Sequence, residues 1–331
     1  MAISIGTAPT TALRRAAVRA TYAPSVHNTQ PWRLHLVSDQ LRIYADRSRQ
    51  LPVLDPTGRQ LVISVGCATM NARVTAAACG YAVAVERFPD AADPDLAAVL
   101  RVVGKDSGSI EDSLAALDEV LEVRQTNRRR FTDEPVPEAL LEALEAAALA
   151  EDSRLVVVRD PDQRTAVAAL SQRADNIENL NPAYRAELRA WTSDDQERRD
   201  GVPALAVPHV TGESEDEVPI RDFDTRGAGG LPAVTHSSRE QCLVLLCTSG
   251  DGQREWLRAG EALERVLLEI ARRGFMASPL TQVTEVPAAR AELRRELSLD
   301  VYPHVLLRIG RAPLTPRSRR RRLAEVLFEQ N

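Results

Sequence analysis

Apolar residues recur at helical spacing in two stretches that resemble each other. In "SVGCATMNARVTAAACGYAVAV" Gly66 and Gly80 bracket an apolar run, and an aromatic, Tyr81, follows. In "RAGEALERVLLEIARRGFMASPL" Gly260 and Gly274 stand at the same spacing of 14 residues, with Phe275 after them. Leu263, Val266, Leu267 and Ile270 fall on one wide helical face. Each unit predicts a buried helix, a glycine stop in the left-handed conformation and a short β-rich segment. Upstream, "WRLHLVSD" resembles "SRLVVVRD", and both follow Ala/Leu-rich helical patterns, the second beginning near "VPEALLEALEAAA". Helix, strand, long helix, strand thus occur twice in one order, which predicts a duplicated α+β fold.

The second copy carries about 73 more residues between its first strand and its long helix. "LSQRADNIENLNPAYRAELRAWTSDD" reads as helical and polar. It leads into a Gly- and Pro-rich, acidic stretch without a period. Loops of that length inside compact domains are lids, binding loops or disordered, so residues 200–232 are expected to be a cover. The C-terminal "RRLAEVLFEQ" reads as a final helix, with Arg320, Arg321 and Arg322 facing water or capping it.

Three links hold more polar chemistry than their elements require. "APSVHNTQPW" places Pro24, Ser25, His27, Asn28 and Gln30 between a helix and a strand. A cap and turn would explain Ser25 or Asn28 alone. The whole string suits recognition of a flat, heteroatom-rich ligand. "VRQTNRRRF" gathers Arg124, Thr126, Asn127, Arg128, Arg129 and Arg130, either a solvated face or a cradle for phosphate oxygens. In "LTPRSRRRRL" Arg317 and Arg319 alternate, so an extended backbone would turn both toward one anion.

Composition narrows the choices. The 331 residues carry a net charge of −5, with 44% hydrophobic and 27% charged residues, a globular profile that disfavours wholesale nucleic-acid or acidic-membrane binding. Aromatics are only 4% and do not interleave the arginine clusters as stacking platforms would require. Cys67, Cys79, Cys242 and Cys247 lie in apolar runs without a C-x-x-C pair and read as buried thiols, with no metal site. The N-terminal stretch has no apolar signal core, and no run approaches the ~18 apolar residues of a membrane span. A cytoplasmic protein is expected. G-x-G-x-x-G after a strand, the P-loop, H-E-x-x-H and G-x-S-x-G are all missing, so classical dinucleotide domains, NTPases, zinc proteases and α/β-hydrolases have no support.

The polar strings, taken in order, resemble one family. "APSVHNTQPW" is similar to the PS-x-x-N-x-QPW signature of nitroreductase-like flavoproteins. "RQTNRRRF" resembles that family's arginine and hydroxyl stretch along the phosphate and ribityl chain of FMN. "SPLTQ" resembles its proline-centred turn beside the flavin N5, and "PRSR" its late basic pair. The double length resembles the Acg-type branch. Ordinary members are homodimers with two shared flavin sites. Here the first string occurs only in the first half and the others only later, which implies an intramolecular pseudo-dimer that keeps one site. The resemblance implies halves at 1–120 and 121–331, with an insertion at about 161–235. It implies FMN contacts from Pro24, Ser25 and Asn28 at the ring edge and from Arg124, Thr126 and Arg128 at the ribityl phosphate. Pro279, Leu280 and Thr281 would lie beside the isoalloxazine, and Arg317 and Arg319 at the phosphate. No protein nucleophile or base is then needed. NAD(P)H would be the donor and a nitroaromatic, quinone or similar small molecule the acceptor, or else the insertion would sequester the flavin with little turnover. A monomer or weak homodimer is expected, with neither nucleic acid nor membrane as partner.

Overall fold

The structure, a computed structural model, describes residues 8–105, 114–193, 195, 197–209, 218–225, 227, 229–231 and 241–330. Its first half runs α1 (Pro9–Ala20), β1 (Trp32–Val37), β2 (Gln40–Ala45), α2 (Arg59–Ala78), β3 (Tyr81–Arg87) and β4 (Leu96–Lys105). The second half runs α3 (Glu138–Leu149) and β5 (Ser153–Val157), then the inserted α4 (Pro161–Asn179), α5 (Pro182–Ala190), β6 (Thr192–Ser193) and β7 (Val202–Pro203). It returns through β8 (Cys242–Thr248), α6 (Gln253–Arg272), β9 (Met276–Pro279), α7 (Gln282–Glu285), α8 (Pro287–Glu296), β10 (Tyr302–Gly310) and β11 (Leu327–Gln330).

The fold is α+β. The first half's strands lie in the order β1-β2-β4-β3 and the second half's in the order β5-β8-β10-β9, all antiparallel. In both, the first, second, fourth and third strands of the half are neighbours in that order. The two long helices are each 20 residues long and lie 194 positions apart in sequence. They cross at the glycines singled out by the sequence. A Cβ on Gly66 would meet the Leu257 carbonyl oxygen at 2.1 Å, and one on Gly260 would meet that of Ile63 at 2.0 Å. Side chains are excluded there by backbone-to-backbone contact. Gly80 and Gly274 close the helices at φ +79° and +73°, as the caps required.

The main core lies between these helices and the inner faces of both sheets, with Leu34, Ile43, Val65, Val266 and Leu307 in it. By length and composition α2 could cross a membrane, but it is buried almost all round, and that burial accounts for its apolar sequence. Cys67 and Cys247 are buried, and the four thiols are unpaired.

The C-terminal end departs from expectation. Instead of a helix, Leu323–Glu325 forms a single 3-10 turn and β11 pairs in parallel with β1, Leu34 opposite Leu327. The apolar spacing of Leu323, Val326 and Leu327 is helical, yet the exposed edge of β1 offers a row of backbone partners that a helix would leave unpaired. The second half's last segment thereby joins the first half's sheet. The expected cover lies partly outside the described residues, while 200–209 and 218–225 are described.

Candidate functional site

The link from α1 to β1 folds back on itself. His27, Asn28 and Gln30 take φ of 45°, 54° and 50°, a left-handed region uncommon for non-glycine residues and visited most readily by asparagine, aspartate and histidine. The Ser25 hydroxyl oxygen accepts the Gln30 N–H at 2.9 Å, and Ser64 of α2 accepts the Val26 N–H at 3.1 Å. These bonds tie the link to itself and to the central helix.

The other two polar stretches meet it. Residues 124–128 dock on β9, where the Asn127 N–H donates to the Ala277 carbonyl at 3.0 Å. The C-terminal arginine segment crosses above. Asn28 clamps it: Nδ2 donates to the carbonyls of Gly201 at 2.9 Å and Arg319 at 3.2 Å, and Oδ1 accepts from Arg320 at 3.1 Å. A cavity of about 550 Å³ results. Pro24, Ser25, Asn28, Arg124, Thr126, Arg128, Arg317 and Arg319 all line it, so eight of the eleven residues singled out by the sequence share one wall.

A smaller cavity of about 110 Å³ adjoins it, sharing Pro24, Ser25, Thr126 and Arg128 and adding Pro279 and Thr281. Leu280 is not brought there. It is 1% exposed in a second core with Leu306 and Val283, and its N–H donates to the Leu306 carbonyl at 2.9 Å. Alternation along an extended segment turns 279 and 281 one way and 280 the other.

Arginine dominates the larger cavity. Arg199, Arg320, Arg321 and Arg322 join the four singled out, and among the described residues Glu122 is the only carboxylate in the lining. Arg320, Arg321 and Arg322 therefore face the cavity wall rather than a final helix. Loss of water, then the like charge of Arg124, pushes the Arg320 guanidinium down to about 9. Behind the wall, the fully buried Glu264 of α6 stands 3.4 Å from Arg124 Nε. Burial raises the Glu264 carboxyl to about 7, against the pull of Arg124.

No periodicity or motif marks the residues that bound the smaller cavity. Ile220, Arg221 and Phe223 of the insertion line it, with His27 edge-on to Phe223 at 5.3 Å and Arg128 over the Phe223 ring at 4.7 Å. Arg221 is held by Glu285, Glu178 and Tyr184. Both ring nitrogens of His27 are buried without a partner, and desolvation followed by Arg221 and Arg128 keeps the imidazole neutral, well below its ordinary range. His27 lies inside the string quoted from the sequence, but its unpartnered ring and its φ become visible only in the structure.

Comparison with known proteins places the chain in a family. No protein-family model matches the chain. It is 31% identical over 312 residues to a Mycobacterium tuberculosis protein named "Putative NAD(P)H nitroreductase acg", covering 92% of this chain and 90% of the relative. A further M. tuberculosis protein, also named a putative NAD(P)H nitroreductase, is 31% identical over 313 residues, covering 93% and 88%. Among solved structures, the FMN-dependent nitroreductase NfnB of Mycobacterium smegmatis in complex with NADPH is 18% identical with a TM-score of 0.41, covering 63% of this chain and 96% of that one. The near end-to-end relatives set the class, that of nitroreductase-like proteins. Within it the chain belongs to the double-length Acg-type family.

Proposed function

We propose that this protein is an FMN-binding oxidoreductase of the nitroreductase type, taking electrons from NAD(P)H and passing them to a nitroaromatic, quinone or similar small acceptor. One observation carries the reading: a single arginine-lined cavity joins the polar link of the first half to both basic stretches of the second. Bound FMN would supply hydride acceptance at N5 and delivery of electrons to the acceptor, so the chain need only bind and orient.

The donor set fits the cofactor. Arg317 and Arg319 are exposed on the cavity rim, where they can meet a phosphate, with Arg124, Thr126 and Arg128 along the ribityl side. Pro24 and Ser25 line both cavities and are suited to the ring edge. The Ser25 oxygen already accepts a bond, leaving its proton to donate. Asn28 acts through its clamp on the Arg319 carbonyl and the Arg320 guanidinium. At the proline turn the Leu280 N–H is committed to the sheet, so Thr281 is the group proposed beside N5.

The shared strand order and the crossing glycines support a pseudo-dimer of halves 1–120 and 121–331 that retains one site. The test is the visible flavin spectrum of the purified protein and its bleaching by NADPH or NADH under anaerobic conditions. A chain that cannot be loaded with FMN sinks the reading.

A second reading rests on Ile220, Arg221 and Phe223. They narrow the ring side to about 110 Å³, below the ~300–1,000 Å³ of sites for drug-sized ligands. The insertion would then cover the flavin and slow turnover. Phe223→Ala opens that wall. If bound flavin resists reduction in the natural chain and is reduced in the variant, the protein is a flavin-sequestering one. Equal, rapid reduction in both favours the enzyme.

A further inference from the structure

A second cavity of about 520 Å³ lies behind the Arg221–Glu285 pair, between the start of α2, the junction of α4 and α5, and α8. Its walls differ from those of the arginine-rich cavity. Trp256 and Tyr302 are aromatic, and apolar surface exceeds polar in the lining. The Trp256 indole N–H donates to Asp251 at 2.7 Å, and Asp251 takes both Nη groups of Arg290 at 2.7 and 2.8 Å, so that wall is fixed in place. Arg294 lies over the Tyr302 ring with Cζ at 4.0 Å, its Nε donating to the Val301 carbonyl.

Not every charge is paired at contact distance, and Arg59 feels Glu285, Asp251 and Asp55 only at longer range. Glu178 and Glu285 are taken by Arg221, Asp251 by Arg290, and Asp55 accepts the Leu61 N–H at 2.9 Å. Arg59 is only 7% exposed, donates Nη2 to the Thr284 carbonyl, and leaves Nη1 without any partner. Among the described residues neither Arg59 nor Arg294 has a carboxylate at ion-pair distance. A buried guanidinium with an unfilled donor is costly, and an anion supplied from outside relieves that cost. Trp256 and Tyr302 line the same cavity and offer aromatic surface to a flat ring.

We propose that this second cavity binds a small aromatic monocarboxylate, its carboxylate on Arg59 and Arg294 and its ring between Trp256 and Tyr302. The site stands apart from the flavin reading and does not depend on it. Glu285 lines both cavities, so a ligand here would sit directly behind the wall that holds Arg221.

The test uses the full chain, benzoate as probe and its neutral isostere benzamide as control, with calorimetry and tryptophan emission as readouts. Benzoate is expected to bind saturably, with a Trp256 emission change, and benzamide at least about tenfold more weakly. Arg294→Met, on the rim, and Arg59→Met should each cost about tenfold in benzoate affinity. If Arg59→Met does not fold, by circular dichroism, Arg294→Met decides alone. Equal binding of benzoate and benzamide, or no saturable binding, overturns the proposal. So does benzoate binding that survives Arg294→Met and disappears on Arg317→Glu with Arg319→Glu, which would assign it to the other cavity.

Discussion

Two regions of this molecule occupy corresponding places and have opposite character. The 20-residue helices α2 and α6 align with a shift of 194, so Cys67 corresponds to Glu261 and Leu267 to Arg73. Cys67 and Leu267 line the small cavity in the first region. In the second, Glu261 is fully buried and accepts from Arg73 at 2.9 Å and from Arg87 at 2.6 Å. Arg73 and Arg265 also bond the buried Glu151, at 2.5 and 2.7 Å. The links differ as well: residues 21–31 separate α1 from β1, while only 150–152 separate α3 from β5. One region keeps a long polar link, the uncharged Cys67 and Leu267 on its helices, and a cavity lined by arginines. The other has a short link, and interlocked guanidinium and carboxylate groups fill it. Two similar strand orders therefore leave a cavity only where the arginines are not matched by carboxylates.

The largest effect is expected from breaking the filled region. Glu261→Ala removes a fully buried anion from the half-buried Arg73 and Arg87, and breaking such a pair costs up to about 3 kcal/mol. Urea unfolding reads this as a lowered midpoint at unchanged slope. FMN loading of the folded fraction should not change. A loss of loading equal to that of a site mutant would mean that the two regions are not independent.

Charge reversal in the open region should do the converse. Arg317 and Arg319 are exposed, so Arg317→Glu with Arg319→Glu should leave the unfolding midpoint where it is and weaken FMN retention about a hundredfold, ~2.7 kcal/mol. Unchanged occupancy would remove both residues from the phosphate site.

How far the sequence showed this contrast depends on the kind of signal. The glycine pairs were legible because a crossing of two backbones and a left-handed cap each admit almost nothing else. The polar string from Pro24 to Trp32 and the two arginine stretches were legible because their residue types exceeded what a turn or surface needs, and they do meet. The filling of the opposite region was not, since Arg73, Arg87, Glu151 and Glu261 look like ordinary surface charges until the fold buries both carboxylates and half-buries the arginines. Phe223 and Arg221 come from a segment with no period to place it. β11 has helical apolar spacing, and only its pairing with β1 decides against a helix. Leu280 was grouped with its neighbours, although strand alternation separates them.

The smallest effect sharpens the comparison at a single pair of positions. Under the same shift Glu264 corresponds to Met70, an apolar residue buried on the other helix. Glu264 is fully buried, with Arg124 as its nearest cation, and burial lifts its carboxyl from 4.5 to about 7. An acid held higher in the folded than in the unfolded chain binds its proton more tightly when folded. Its contribution to stability is complete below about pH 4.5 and drains away as pH rises through about 7. Across pH 5 to 7 this amounts to about 2 kcal/mol at 1.36 kcal/mol per pKa unit. Glu264→Gln keeps the shape of the protonated side chain and removes the titration. The variant should match the natural chain in urea at pH 5 and exceed it by about 2 kcal/mol at pH 7. A variant less stable at pH 7 would show that the Arg124–Glu264 pair outweighs the burial of its charge. The open region, like the filled one, would then be held together by ion pairing.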